Sequence, residues 1–223
     1  PWYETNAYSS NATLQSKMNT ISSAYSELSK SKSEYVQFYM KNHEQIPTWI
    51  MIKVVNFSTF IDVLHNSKTN VTHAICKLYS MYDDHNLPNV KLLIGSLHWL
   101  RRVRNSCAHN ERVYCIHQTQ ARNNSASGRI LDPYYAQLPT SYSRCTEKNI
   151  FDILIYFKYF LPKEEFAPMI MELKNMLIEL QNTLQPNAFD NVRGQMGIKN
   201  LNVLDTLIAL PKSKIEYHKF DTL

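Results

Sequence analysis

The sequence predicts an all-α fold, and three observations carry that expectation. Glycine is scarce, with only 4 in 223 residues, and no Asn-Gly or Asp-Gly dipeptide marks a tight hairpin. Apolar residues recur instead at steps of three and four, the spacing that lines one face of a helix. Hydrophobic residues make up 44% of the chain, enough for one sizeable core or a core with a helical appendage.

Residues 1–12 are rich in Asn, Ser and Tyr and read as a loop. A first helix follows, with Leu14, Met18, Ile21, Tyr25 and Leu28 on one face and Ser, Lys and Asn on the other. Pro47 opens a second helix, where its missing N–H costs nothing; Trp49, Ile50, Val54, Phe57 and Ile61 form its apolar side. A third runs from about Asn70 to Met81, with Val71, Ala74, Ile75 and Leu78 inward. A fourth begins near Pro88. Residues 118–148 break the helical pattern with Ser, Asn, Gly and Pro and read as a long connecting loop, of a length that is commonly functional or disordered. Helices resume over Ile150–Leu161 and Glu164–Leu184. A Gly-containing stretch, Asn187–Lys199, leads to a short apolar helix at Leu201–Leu210. No internal repeat is present.

The formal charge of +5 and pI of about 8.9 suit a polyanionic partner without identifying one. The four cysteines, Cys76, Cys107, Cys115 and Cys145, form no CxxC pair. With no secretory leader and no apolar stretch of ~20 residues, reduced thiols in a cytoplasmic protein that does not enter a membrane are expected. The chain opens on Pro1 rather than methionine and is expected to be part of a longer protein.

The fourth helix is where the pattern breaks. Leu93, Leu97 and Leu100 mark an apolar seam, and continuing it by four and three lands on Arg104 and Cys107. An arginine at such a position is costly to desolvate unless it meets an anion, a hydrogen-bonded network or a subunit interface. Beside the seam, Arg102, Asn105, His109 and Arg112 are spaced three, four and three, a continuous polar stripe. With Arg101 close by, spacing and composition define a candidate anion site.

The segment Trp99-Leu100-Arg101-Arg102-Val103-Arg104-Asn105-Ser106-Cys107-Ala108-His109-Asn110-Glu111-Arg112 resembles the signature of the Abi-like (AbiD/AbiF) abortive-infection proteins, members of the HEPN superfamily. That superfamily's nuclease motif is an Arg, often followed by Asn, with a His four to six residues on. Arg104, Asn105 and His109 occupy those places, and Arg112 matches a further family arginine. The Pro47–Phe57 stretch and Met196-Gly197 are also similar to family features. The resemblance covers most of residues 46–210, though only Arg104–Arg112 is specific; Pro1-Trp2-Tyr3 looks like the trailing edge of family helices otherwise missing.

The resemblance implies an HEPN-like helical bundle over residues 1–117, truncated at its N-terminal part, the loop 118–148, and C-terminal helices over 149–223 completing the same domain. It also implies RNA cleavage without a cofactor or metal, serving as a toxin in phage defence and held silent by an antitoxin RNA or protein. In that chemistry the ribose 2′-OH attacks the adjacent phosphate. Imidazole, which ordinarily titrates near neutral pH, can move the proton, so His109 is the implied acid or base. Arg104 would hold the charge gathering on phosphorus, Asn105 would orient His109 or a phosphate oxygen, and Arg101, Arg102 and Arg112 would bind the RNA backbone. On a straight helix Arg104 and His109 lie roughly 7.5 Å apart along the axis and about 140° around it. Such a pair does not converge readily on one phosphate, so a homodimer with a composite site on a two-fold axis is expected.

Other readings compete. Cys107, His109, Cys115 and His117 alternate at a spacing poor for zinc, whose paired ligands usually leave two to four residues between them. His98 extends the polar stripe but reads more readily as a structural histidine. Tyr134, Tyr135 and Tyr142, with Arg122, Arg129 and Arg144, could stack on bases or pack the loop down. Gly194–Lys199 lacks the spacing of a phosphate-binding loop. A non-catalytic RNA- or partner-binding module would keep the bundle and the basic patch, and a non-enzymatic phage sensor acting through assembly is a third possibility.

Overall fold

A computed structural model describes residues 1–83, 85–119, 138 and 147–210. Among the described residues the fold is all-α apart from one antiparallel pair of two-residue strands, and the chain divides into two compact units, residues 1–75 and 76–223.

The first unit holds α1 (Leu14–Lys30), α2 (Glu34–Asn42), α3 (Thr48–Val54), α4 (Phe57–Asn66) and most of α5 (Thr69–Leu78). Its core gathers Trp2, Ala24, Leu28, Val36, Ile46, Ile50 and Met51. The N-terminal stretch read as a loop is anchored there: Trp2 Nε1 donates to the Ile46 carbonyl at 2.8 Å, and Tyr8 OH to the Trp2 carbonyl at 2.6 Å. The predicted face of α1 holds in part, with Ile21 and Leu28 inward as expected. Thr20, Ile21, Ala24 and Leu28 are buried, while Leu14, Met18 and Tyr25 stay exposed. Helix α1 packs against α4 and α3, with Asn66 Nδ2 donating to the Thr20 hydroxyl at 2.9 Å and Ala24 in the core beside Ile50 and Met51. The Glu27 carboxylate also accepts from the backbone and side chain of Asn56 and from the Thr59 hydroxyl.

The helix predicted to run on from Pro47 is two helices. The Asn56 side chain accepts from Thr59 N at 3.0 Å and starts α4 afresh, an N-cap that ends one run and begins the next. Helix α2 went unread in the sequence. In α5 the buried residues are Thr72 and Cys76, whereas Val71, Ala74 and Leu78, expected inward, are exposed.

The second unit holds α6 (Val90–Ala108), β1 (Gln118–Thr119), β2 (Glu147–Lys148), α7 (Ile150–Phe160), α8 (Lys163–Thr183), α9 (Pro186–Gln195) and α10 (Asn202–Ala209). Helix α7 packs against α6 on one side and α8 on the other; α8 in turn contacts α9 and α10. Helix α7 is the core element, burying Ile150, Phe151, Ile153, Leu154, Ile155, Tyr156 and Tyr159. Its start is a reciprocal capping box, in which Asn149 Oδ1 accepts from Phe151 N and Asp152 Oδ2 from Asn149 N.

The stretch predicted to connect residues 187–199 is largely helix α9, with Pro186 at its first turn. It ends where Gly197 takes φ +79° and Ile198 N bonds to the Arg193 carbonyl, a left-handed C-terminal cap that favours glycine. Space decides this position as well. A Cβ at Gly197 would lie 2.2 Å from the Asn149 side chain.

Strands β1 and β2 are antiparallel, with Gln118 opposite Lys148 and Thr119 opposite Glu147, so they tie together the two ends of the segment read as a loop. Tyr134, Tyr135, Tyr142, Arg122, Arg129, Arg144 and Cys145 lie outside the described residues. No helix among the described residues is long and apolar enough to cross a membrane.

Candidate anion-binding site on the C-terminal half of α6

Helix α6 begins where Asn89 Oδ1 accepts from Leu92 N at 3.0 Å, immediately after Pro88. Its first half buries Leu92, Leu93, Ile94 and Leu97. Trp99, nearly inaccessible, donates Nε1 to the Asn149 carbonyl at 3.1 Å, tying α6 to the start of α7.

The second half turns to solvent. Leu100 is half-buried, and the next seam positions, Arg104 and Cys107, are exposed. Arg104 therefore bears no desolvation cost within the single chain. Its Nη1 donates to Asn105 Oδ1 at 2.9 Å. A guanidinium has donors only, so the amide oxygen must face it, and the two Nδ2 protons are left for another acceptor.

The helix closes on a Schellman turn. Asn110 N bonds to the Cys107 carbonyl, Glu111 N bonds to the Ser106 carbonyl, and Asn110 takes φ +56°. Asparagine tolerates this left-handed conformation better than most residues. His109 thus sits at the C-cap, held by its backbone N–H to the Asn105 carbonyl at 2.9 Å, with its ring exposed. Beyond the turn, Glu111 folds back toward α6.

A cavity of about 570 Å³ runs along this face. Gly95, His98, Arg102, Asn105 and His109 line it from α6 at steps of three and four, so one helical stripe forms its floor. Arg101, Ser106 and Glu111 also contribute, and Lys148 enters from β2. The formal charge of the lining is cationic: Arg101, Arg102 and Lys148 against Glu111, with two histidines besides. Arg102 lies over the Trp99 ring, 5.5 Å from its centroid, a contact that holds the guanidinium beside the buried indole.

Of the residues singled out in the sequence, Asn105, His109, Arg101 and Arg102 line this one cavity. Arg104 and Arg112 do not, although Arg104 is bonded to Asn105. Arg112 sits beyond the Schellman turn, where its carbonyl accepts from Cys115 Sγ. Sequence reasoning missed Lys148, which fell inside the presumed loop; His98, which extends the polar stripe in the sequence, lines the cavity as well. Lys148 arrives through the β1–β2 pairing, which no local pattern announces.

Among the described residues no group of three His, Cys, Asp or Glu side chains is placed to hold a metal ion. Cys76, Cys107 and Cys115 are free thiols. Burial pushes the Cys76 thiol up to about 11, which keeps it protonated and inert, whereas Cys107 is exposed.

The sequence matches the family described as Abi-like protein over residues 2–115. The match takes in the helices ahead of residue 46 as well as the whole of α6, and stops before the C-terminal helices. No curated protein and no solved structure matches the chain.

Proposed function

The chain belongs to the Abi-like protein family, and we propose that it is a metal-independent endoribonuclease of the HEPN kind, acting as a toxin in abortive-infection defence against phage. One observation carries the reading: Asn105 and His109 line a single cationic cavity, and Arg104 is hydrogen-bonded to that same Asn105.

In the proposed reaction the substrate's 2′-oxygen forms a bond to phosphorus as the bond to the 5′-oxygen breaks. The products are a 2′,3′-cyclic phosphate and a 5′-hydroxyl. One proton must leave the 2′-hydroxyl and one must reach the departing 5′-oxygen. A single imidazole held at the C-cap of α6 can serve one side of the phosphate. We place a second copy of the chain opposite, so that its α6 brings another histidine to the other side. The exposed continuation of the leucine seam, Arg104 and Cys107, is the surface offered to that copy. Arg104 would then stabilise charge on the phosphoryl oxygens, with the Asn105 Nδ2 protons as further donors. Arg101 and Arg102 would hold the RNA backbone.

The test is end-labelled RNA incubated with EDTA and wild-type, Arg104→Ala or His109→Ala protein. Wild type is expected to leave cyclic-phosphate ends, and each variant to lose about a hundredfold or more in rate. RNA binding with no cleavage in any sample would replace this reading with a non-catalytic binding module. Light scattering at micromolar concentration is expected to show a dimer; monomer alone would remove the composite site.

A further inference from the structure

We propose that the Gly95 end of the cavity is a separate backbone-phosphate subsite for single-stranded RNA, with Lys148 as its cation and His98 beside it. The inference rests on RNA being the ligand of this cavity. It adds where the strand runs and which residue outside α6 holds it.

Length is the first argument. Gly95 and His109 are fourteen positions apart, which is roughly 21 Å along a helix axis. No single phosphate reaches both ends. A stacked strand advances about 3.4 Å per nucleotide, so a groove this long follows several nucleotides rather than one scissile bond. His98 lies about 16 Å along the axis from His109, too far to share a phosphate with it and well placed to meet a neighbouring one.

The second argument is how Lys148 is held. It closes the two-residue strand β2 opposite Gln118, and the next residue, Asn149, is locked into the capping box of α7. The backbone is thus fixed on both sides of it. Its Nζ lies 3.7 Å from where a Cβ on Gly95 would stand, and 5.7 Å from the centroid of the buried Tyr156 ring. A half-buried lysine on a fixed strand, against a helix face left open by glycine, differs from a swinging surface lysine. Sites built on rigid elements lose less side-chain freedom when they bind. Lysine binds phosphate as a point charge and needs no planar partner, which suits a backbone contact rather than the chemical centre.

The third argument is charge. Arg101 and Arg102 lie between the two ends, so cations run along the groove from Lys148 toward His109, while the carboxylate of Glu111 is confined to the His109 end of the sequence. A polyanionic strand laid along α6 meets positive charge for most of its length.

The experiment uses fluorescence anisotropy with a 2′-O-methyl RNA of about twelve nucleotides, whose blocked 2′-oxygen cannot attack, and a 2′-O-methyl dinucleotide as the short probe. Salt titrations are run on wild type, Lys148→Ala, Lys148→Gln and Lys148→Arg, with Lys91→Ala as a control for an exposed α6 lysine outside the cavity. Lys148→Ala and Lys148→Gln are expected to weaken the longer strand by about threefold to tenfold and to reduce the slope of log K against log salt by about 0.7, the value of one phosphate contact on a single strand. The dinucleotide should lose less, Lys148→Arg should keep the slope, and Lys91→Ala should match wild type. Glutamine retains most of the stem, so a loss seen in alanine alone reports packing and overturns the proposal. Equal losses for long and short probes would place Lys148 at the chemical centre and also overturn it. So would an unchanged slope, even if wild type cleaves RNA. A reduced slope in a protein that never cleaves RNA would refute the nuclease reading and leave the subsite standing.

Discussion

Two helices of the second unit each carry a cation in an apolar run, and the fold treats the two cations oppositely. In α7, Lys158 is buried. Its Nζ donates to the carbonyls of Leu207 and Leu210 at 2.7 and 2.8 Å, and it lies 5.1 Å from the Phe166 ring centroid. The carbonyls at the end of α10, which have no partners in their own helix, supply the counter-charge, and a cation is favoured there by the helix dipole as well. In α6, Arg104 continues a leucine seam but stands in solvent, with one described hydrogen bond, to its neighbour Asn105. The first cation completes the structure. The second is positioned at its surface, beside a cationic cavity. On the proposed reading Arg104 is the cation that serves RNA, whereas Lys158 serves the fold.

The sharpest way to break this comparison is to separate activity from stability. Arg104→Ala and His109→Ala are expected to lower RNA cleavage by about a hundredfold or more, equivalent to about 3 kcal/mol or more of barrier. Unfolding free energy in urea should move by less than about 0.5 kcal/mol, the usual range for exposed positions. The C-cap hydrogen bond of residue 109 is made by its backbone and survives the alanine. If Arg104→Ala proves as destabilising as it is inactivating, the arginine is a structural residue like Lys158.

The reciprocal change tests the other helix. Lys158→Met keeps the stem's volume but leaves two carbonyls at the end of α10 without their donor. A cost of about 2–4 kcal/mol is expected, because buried acceptors stripped of charged donors are expensive. It would be read as a lower urea midpoint at unchanged slope. The cleavage rate per folded molecule should stay near wild type. A stable Lys158→Met protein would mean that other donors or water satisfy α10, and the contrast with Arg104 would fail.

These differences explain what could be read in the sequence. The all-α class, the start of α6 and the stripe Arg102-Asn105-His109 follow from local rules: glycine scarcity, an Asn cap after Pro88, and 3.6-residue spacing. The burial state of Arg104 does not, because seam arithmetic assumes that a neighbour covers the whole seam, whereas cover along it ends near Leu100 while Ser106 on another face stays buried. In α1 the same arithmetic placed Ile21 and Leu28 on the buried face but also favoured Leu14, Met18 and Tyr25, which stay exposed, while the small residues Thr20 and Ala24 are buried. Helix α9 was hidden by Gly194 and Gly197, although Pro186 at its first turn and glycine at its end are ordinary boundary residues. Lys148 was illegible for a different reason. It reaches the cavity through pairing between residues thirty positions apart in sequence, a long-range fact that no window contains.

Arg112 yields the smallest expected effect and the finest discrimination. The resemblance to the family implies a contact to the RNA backbone for it rather than a chemical role, and in the structure it lies past the Schellman turn and outside the cavity of its own chain. As a peripheral phosphate contact it should matter little: Arg112→Ala is expected to slow cleavage by less than about threefold and to flatten the salt dependence by at most one contact's worth. If the loss instead approaches that of Arg104→Ala, the cavity of one chain is not the whole site. Arg112 would then have to act on a phosphate held by the opposite copy, and wild-type protein mixed with an excess of Arg112→Ala protein should lose activity beyond simple dilution as hybrid dimers form. That extra loss is absent if each chain works alone, because every wild-type molecule then keeps its full rate.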